Sequence, residues 1–190
     1  MTYSTYADLI RPITNRQAWL YNAILVIGGS LLIAVSAQLA VRLPFSPIPI
    51  TGQTLIVLLA GALLGPLRGG VTVLLYLVEG ASGLPVFASG GLGVAYLLGP
   101  TGGYLFGFVG AAVVTGYLAE RGWDRRFLTT VAAMVLGTVV IYLTGVTWLA
   151  FQAGTENALS MGLYPFLPGA ILKITAAAFL LPQGWKILDR

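Results

Sequence analysis

Lys173 lies inside a long apolar segment near the C-terminus of the chain. A lysine at the centre of a membrane-spanning helix costs about 2.5–3.5 kcal/mol unless a partner or the interface compensates its charge. Pro168 suits the first position of a helix, which would place Lys173 in the second turn, beside the positive end of the helix dipole. Two positive features in one place predict a binding site for an anion, such as the carboxylate of a ligand that arrives from outside.

Two other interpretations of Lys173 stay open on the sequence alone. Its ammonium could pair with Glu79, which lies at the outer end of another apolar segment. Such an internal pair would remove the need for an anionic ligand. Alternatively, the lysine side chain could extend along the helix and reach the interface, which would recover most of the cost of burial.

Uncharged side chains on the same outer side are the other candidate ligand contacts. Aromatic rings could form apolar walls for a ligand, although each of them could equally belong to the aromatic belt at a membrane interface. Amide and hydroxyl groups could orient the ligand through hydrogen bonds. The candidates are Phe87, Tyr96, Tyr104, Trp148, Tyr164, Gln53, Thr51, Ser89 and, at the predicted start of the last helix, Gly169.

The composition is that of a membrane protein. Hydrophobic residues make up 57% and charged residues 8% of the 190 residues, whereas a soluble domain carries about 25% charged residues. The chain has no cysteine and no histidine, so we expect no disulfide, no thiolate zinc site and no cofactor held by these side chains. The ten basic residues are scattered between apolar runs and predict no nucleic-acid partner.

Six apolar segments approach the length of about 20 residues that a spanning helix needs. We predict an all-α integral membrane protein with a single domain over residues 1–190, in which a cytoplasmic segment, 1–18, precedes a six-helix bundle over about 19–185. Thr14 and Gln17 form a capping-box pattern before the first span. The second and third spans are short and could form one bent hairpin. The spans are Trp19–Val41, Gln53–Leu67, Gly69–Val78, Gly103–Ala119, Phe127–Ala153 and, from Phe166 or Pro168, a last span that ends at Leu181.

The distribution of basic residues predicts the orientation of the chain in the cell membrane. If six spans alternate from a cytoplasmic N-terminus, the outer segments hold only Arg42, and eight basic residues lie in the inner segments. Basic residues favour the cytoplasmic side, so both termini are predicted to be cytoplasmic. The eight are Arg11, Arg16, Arg68, Arg121, Arg125, Arg126, Lys186 and Arg190.

The segment Gly80–Tyr104 is rich in glycine and contains two prolines among apolar residues. Irregular backbone near membrane depth is tolerated where it is buried in protein or lines a wet cavity. We therefore predict that this outer loop covers a ligand cavity, while a plain connector between closely packed helices is the alternative. The shorter segment Pro44–Gln53 falls on the same side and has a similar composition.

Small residues on the first span, Ser30, Ala34 and Ala37, allow a second helix to approach closely. They could serve packing within the bundle or form a docking face for a membrane partner. No phosphate-binding loop of the G-x-x-x-x-G-K-[ST] type is present, so ATP hydrolysis would have to come from another subunit.

Several motifs together resemble the BioY family, the biotin-specific S components of energy-coupling-factor (ECF) transporters. They occur in order over residues 20–182, and as a set they are specific. The motifs are PIPITGQTL from Pro47 to Leu55, AGALLGP from Ala60 to Pro66, GLPVFASGG from Gly83 to Gly91, LLGPTGGYLFGF from Leu97 to Phe108 and PFLPGAILKI from Pro165 to Ile174.

The resemblance implies a substrate-binding membrane component, not an enzyme, that captures biotin from outside and delivers it with an ECF transmembrane coupling subunit and a pair of ABC-type ATPases. Lys173 would then meet the valerate carboxylate of biotin, and uncharged groups would meet its ureido ring. The family motif usually has an aspartate three residues before this lysine, where this chain has Ala170. Glu79 or Ser89 could substitute for that aspartate.

Three alternatives follow from the residues. The absence of the aspartate suggests an S component for another carboxylate-bearing vitamin. A membrane peptidase could pair Ser89 or Ser160 with Lys173, because a serine beside a lysine can act as a nucleophile. A purely structural helix-packing subunit would bind no small molecule.

Overall fold

The chain folds into a helical bundle, seen here in a computed structural model that describes residues 5–10, 12 and 14–188. These described residues form nine α-helices, two 3-10 turns and one pair of very short strands. The helices are α1 Tyr6–Leu9, α2 Asn15–Gln38, α3 Gln53–Leu64, α4 Pro66–Ala81, α5 Gly93–Leu98, α6 Gly102–Ala119, α7 Phe127–Ala153, α8 Thr155–Gly162 and α9 Leu167–Leu188. The 3-10 turns are Ala88–Gly90 and Tyr164–Phe166, and the strands are β1 Ala40–Val41 and β2 Ile50–Thr51.

Four segments of the described chain are long and apolar enough to cross a membrane: Asn15–Gln38, Gly102–Ala119, Phe127–Ala153 and Thr155–Ile187. The last of these contains α8 and all of α9 except its final residue, Leu188. The helix α3 is a further apolar helix but is shorter. Several spanning segments in one chain make it a multi-pass membrane protein, as its composition predicts.

Several helix boundaries differ from the predicted ones because local features of the backbone determine them. The first long helix begins directly after Thr14, but the Thr14 side chain makes no capping hydrogen bond, so the predicted capping box does not form. Gly65 separates α3 from α4 with φ +86°, a left-handed conformation that suits glycine. The last helix continues through Pro182 to Leu188, whereas the sequence predicts an end at Leu181. Arg11 and Arg190, used in the charge count, lie outside the described residues.

Helix α6 forms the centre of the bundle, because it packs against α7, α3 and α4. Its contact with α3 is close at Gly61, where an added Cβ would lie 2.4 Å from the carbonyl oxygen of Ala112. Helix α2 packs on α4 and α3, and α9 packs mainly on α7. The two strands pair antiparallel, with Ala40 opposite Thr51, and hold the α2–α3 connection against the C-terminal end of α2.

The opposite end of the bundle is held by polar and aromatic contacts to the N-terminal segment. Asp8 on α1 forms an ion pair of 2.8 Å with Arg68 at the start of α4. The ring of Tyr6 lies 4.4 Å from that of Trp185 on α9, measured between centroids. The indole nitrogen of Trp185 in turn donates to Asp124 in the α6–α7 loop at 2.6 Å. These contacts join α1, α4, α9 and the α6–α7 loop at one end, which we call the inner end.

The two carboxyl groups of the inner end predict opposite effects of pH on stability. Burial raises the pKa of Asp124 above its ordinary value of 3.8, against the hydrogen bond from Trp185. The stabilisation by a neutral Asp124 is therefore complete below pH 3.8 and is lost as the pH rises through the raised pKa. Burial acts in the same direction on Asp8, but hydrogen bonds from Arg68 and Thr5 outweigh it and lower the pKa of Asp8. The stabilisation by ionised Asp8 is present above pH 3.8 and is lost as the pH falls through the lowered pKa.

We expect Asp124→Asn to remove the loss of stability at rising pH and Asp8→Asn to remove the loss at falling pH. The measurement is Tm in detergent across the acid range for the wild type and the two variants. The difference between wild-type and variant Tm should change with pH in opposite directions for the two substitutions. A pH-independent difference for Asp124→Asn would contradict the assignment.

Candidate functional site

A cavity lies between α3, α6, α7 and α9, next to the irregular segments that precede α3 and α6. Its volume is about 610 Å³, including the part that is open to solvent. Most of its wall is apolar, with a few polar groups, as is typical of small-molecule sites. Among its apolar residues are Ile48, Ile50, Leu105, Phe108, Ile141 and Phe166, and its polar residues include Thr51, Gln53, Thr54, Thr101, Tyr142 and Lys173.

Lys173 projects into this cavity from the second turn of α9 and is the one charged residue among those that line it in the described chain. Its ammonium donates to the Thr51 carbonyl oxygen at 2.5 Å and to Thr54 Oγ1 at 2.8 Å. Both acceptors are neutral, and an ammonium has three N–H donors. One donor and the whole positive charge are thus left for a ligand, which favours an anionic group.

Gln53 lies beside Lys173 at the start of α3 and is only 4% exposed. Its side-chain nitrogen donates to the Tyr76 hydroxyl at 2.6 Å, and its oxygen accepts from Thr51 Oγ1 at 3.1 Å. Tyr76 in turn donates to the Val86 carbonyl at 3.1 Å. These bonds fix the orientation of the amide, so Gln53 is a preorganised polar group at the cavity wall.

Tyr96, Tyr104 and Gly169, which the sequence analysis selects as ligand contacts, also line the cavity. The Tyr104 hydroxyl donates to the Gly162 carbonyl at 2.8 Å, so its ring is held between α6 and the segment before α9. The ring of Tyr96 stacks on that of Phe87 with 5.0 Å between centroids. These rings give an apolar ligand flat surfaces on which to pack.

Five predicted contacts do not line this cavity, and one of them, Tyr164, is 59% exposed in the 3-10 turn before α9. Glu79 lies on the α2 side of α4 and accepts a hydrogen bond of 2.9 Å from Ser30 Oγ. Phe87 is fully buried behind Tyr96. Trp148 on α7 donates its indole N–H to the carbonyl of Gly99, just before α6, at 2.9 Å. Ser89 accepts from Arg42 Nε at 3.3 Å in a neighbouring cavity.

The hydrogen bonds of Lys173 bear on the two interpretations that the sequence leaves open, an ion pair with Glu79 and an extension of the side chain to the interface. Lys173 forms neither an ion pair with Glu79 nor a bond that leads to the interface, because its ammonium is held by Thr51 and Thr54 at the cavity wall. Sequence reasoning missed Thr54, although its hydroxyl stands within an apolar run directly after Gln53. It also missed Thr101 and Tyr142, which reach the cavity only through the packing of α6 and α7.

The small residues of α2 are buried inside the bundle. Ser30 and Ala37 are fully buried and Ala34 is 9% exposed. Gly29, one residue earlier, is so close to Thr72 on α4 that an added Cβ would meet the threonine methyl at 2.7 Å. Close packing between α2 and α4 therefore accounts for these small side chains, and a partner helix on the outside of the bundle cannot contact them.

The serine–lysine pair of a peptidase is not assembled in the described residues. Lys173 bonds to no serine. Ser160 donates to the carbonyl oxygens of Glu156 and Asn157 in its own helix. A nucleophile must lie within hydrogen-bond reach of its base, and neither Ser89 nor Ser160 does.

An apolar cavity with one ammonium and a few fixed polar groups, enclosed by a helical bundle with several membrane-spanning segments, defines a multi-pass membrane protein with a small-ligand site. The BioY family model matches residues 11–190, and the chain belongs to the BioY family.

Individual relatives agree with this assignment over most of the chain. The chain is 39% identical over 160 residues to the biotin transporter BioY of Rhizobium etli, a match that covers 80% of this chain and 86% of that protein. It is 40% identical over 149 residues to a probable biotin transporter BioY of Pyrococcus horikoshii, covering 78% and 86%. A crystal structure of the S-component for biotin from an ECF-type ABC transporter is similar with a TM-score of 0.78 and 26% identity, over 92% of this chain and 95% of that chain.

Proposed function

We propose that this chain is a biotin-binding S component that captures the vitamin from outside for uptake through an ECF-type transporter. The observation that carries the proposal is the ammonium of Lys173, the one charge among the described residues that line a largely apolar cavity. Biotin combines a carboxylate, an apolar tail and a polar ring. These three parts match the ammonium, the apolar surface and the uncharged polar groups of the cavity wall. The relatives bear the name biotin transporter, which supports this ligand, and they support a role in transport rather than in catalysis.

In the proposed complex, the carboxylate of biotin lies against Lys173 and the third N–H of its ammonium. The bicyclic ring packs between Tyr96 and Tyr104, both of which line the cavity. Gln53 is the preferred partner for the ureido group, because its amide offers both a donor and an acceptor. Contacts from Glu79 and Ser89 lose support, since Glu79 is engaged by Ser30 and Ser89 faces the neighbouring cavity.

We further propose one membrane domain with six crossings, formed by α2, α3, α4, α6, α7 and α9, and with both termini in the cytoplasm. The inner end supports this topology, because the start of α4, the α6–α7 loop and the end of α9 meet there together with α1. Arg42 lies at the other end, beside the cavity. The glycine-rich segment before α6 contributes Ala88, Tyr96 and Thr101 to the cavity wall, which supports its role as a cover.

The proposed partners are a transmembrane coupling subunit and an ABC-type ATPase pair, since the chain itself has no phosphate-binding loop of the usual kind. A coupling subunit that docks on α2 would have to use the outward face of that helix. Ile24, Ile27, Leu31 and Val35 are exposed there, whereas Ser30, Ala34 and Ala37 are buried. Lipid covers such apolar surface elsewhere.

Equilibrium binding to the detergent-purified protein tests the ligand. We expect biotin to bind and biotinamide, which lacks the carboxylate, to bind at least about tenfold more weakly, because a charge-assisted hydrogen bond is lost. Other carboxylate-bearing vitamins serve as the comparison panel. Tighter binding of a panel member than of biotin would establish the alternative ligand, and absence of binding by all of them would refute the proposal.

A further inference from the structure

Helix α9 is attached to the bundle unevenly along its length. Towards the inner end, the ring of Phe179 lies 5.0 Å from that of Phe127, and Trp185 is held by Tyr6 and Asp124. Ala177, Ala178 and Leu181 are buried there. Aromatic packing and a hydrogen bond to a buried carboxylate thus anchor this part of the helix.

The outer part of α9 has weaker attachments. The helix as a whole packs mainly on α7 and less on α3, and none of residues 167–176 is buried. The Tyr142 hydroxyl donates to the Phe166 carbonyl at 3.4 Å, which is long for a hydrogen bond. The short bonds from Lys173 to Thr51 and Thr54 cross the thinly packed seam between α9 and α3.

Pro182 stands between the outer part of α9 and Trp185. Proline has no N–H, so it cannot donate to the carbonyl of Ala178, and its ring disturbs the preceding turn. The missing hydrogen bond therefore lies within the anchored part of the helix, where contacts on both sides of Pro182 hold this end of α9 in place.

We propose that the Lys173 bridge closes a side opening of the cavity between α3 and α9, and that the outer part of α9 swings about its inner anchor when the bridge breaks. Thr54 and the Thr51 carbonyl are the positioning groups that hold the ammonium at the seam. The inference rests on the proposed function only for the identity of the ligand. A ligand carboxylate at the third N–H of Lys173 leaves these two bonds in place, so the same ammonium binds the ligand and keeps the opening closed.

A single cysteine on α9 reports this opening, because the chain has no cysteine of its own. Gly169 lines the cavity, and an added Cβ there meets nothing within 4 Å, so Gly169→Cys fits. The reagent is a maleimide that carries a bulky polyethylene glycol chain. Its rate of reaction with the purified protein is measured without biotin, so the result does not depend on what the cavity binds.

We expect Thr54→Val to raise the labelling rate of Gly169→Cys about tenfold, as when a buried charged group loses one hydrogen-bond partner. Lys173→Met, which removes the ammonium and keeps the chain length, is the second variant and should act in the same direction. Thr138→Val is the matched control, since Thr138 bonds only to the Met134 carbonyl within α7. Ser160→Cys on the exposed α8 is the reporter control.

Faster labelling of Gly169→Cys in both bridge variants, with unchanged labelling of Ser160→Cys, supports the side opening. An unchanged rate at Gly169→Cys in both variants overturns it. An equal rise at both cysteines also overturns it, because it indicates general loosening of the bundle. Biotin affinity of the same proteins is measured separately and decides only the proposed function.

Discussion

Lys173→Ala is expected to weaken biotin binding by more than about tenfold, or roughly 1.5 kcal/mol. The cause is the loss of the one charge that the described residues contribute to a largely apolar wall, where a carboxylate depends on the ammonium for compensation. Lys173→Arg should recover part of the affinity, because the charge stays but the planar guanidinium cannot occupy the position of the ammonium between Thr51 and Thr54. Isothermal titration of the purified proteins measures both effects.

Lys186→Ala is the matched control for this prediction. Lys186 lies on the same helix but is exposed at the inner end, remote from the cavity. We expect it to bind biotin like the wild type. If Lys173→Ala retained full affinity, the carboxylate would have to bind elsewhere, and the proposed orientation of the ligand would be wrong.

Gly61→Ala is expected to produce the largest loss of stability among single methyl additions at the α3–α6 contact. The new Cβ would lie 2.2 Å from Thr115 Oγ1 and 2.4 Å from the Ala112 carbonyl oxygen. The backbone of α6 cannot rotate away as a side chain can, so the two helices must separate. Overpacking of this kind costs about 1–3 kcal/mol or more. Both helices form cavity walls, so biotin affinity should fall together with Tm.

Gly28→Ala provides the control, because nothing lies within 4 Å of an added Cβ at that position. Alanine is favoured over glycine inside a helix by up to about 1 kcal/mol, so we expect an equal or higher Tm. Thermal unfolding followed by fluorescence in one detergent compares the two variants. Equal Tm values for Gly61→Ala and Gly28→Ala would show that the α3–α6 contact tolerates expansion.

The sequence predicts the long helices well, because about 20 apolar residues between breaks are a strong pattern. The span Phe127–Ala153 coincides with α7. Short elements escape such a search: α5 and α8 have too few residues for a periodic pattern, and β1 and β2 are set by pairing across a loop. The helix end predicted before Pro182 is wrong, because a proline removes one hydrogen bond but the packing of Trp185 keeps the last turns helical.

Some residues of the candidate site could also be predicted from the sequence, and others could not. Lys173 could be selected because a charge in an apolar segment is costly, and Gln53, Tyr96 and Tyr104 because they are polar or aromatic groups at outer helix ends. Glu79 is also a charged group at the end of an apolar segment. The side of α4 on which it lies is decided by packing against α2, which no local sequence pattern encodes. Thr101 and Tyr142 become neighbours only when α6 and α7 pack side by side.

The contact of Tyr6 with α9 has a consequence for biosynthesis. The Tyr6 hydroxyl donates to the Leu181 carbonyl, which follows it by 175 residues. The Tyr6 segment therefore leaves the ribosome long before its partner helix exists, and this contact can form only after α9 has been synthesised. A product that terminates before α9 would lack both the hydrogen bond from Tyr6 to Leu181 and the ring contact between Tyr6 and Trp185.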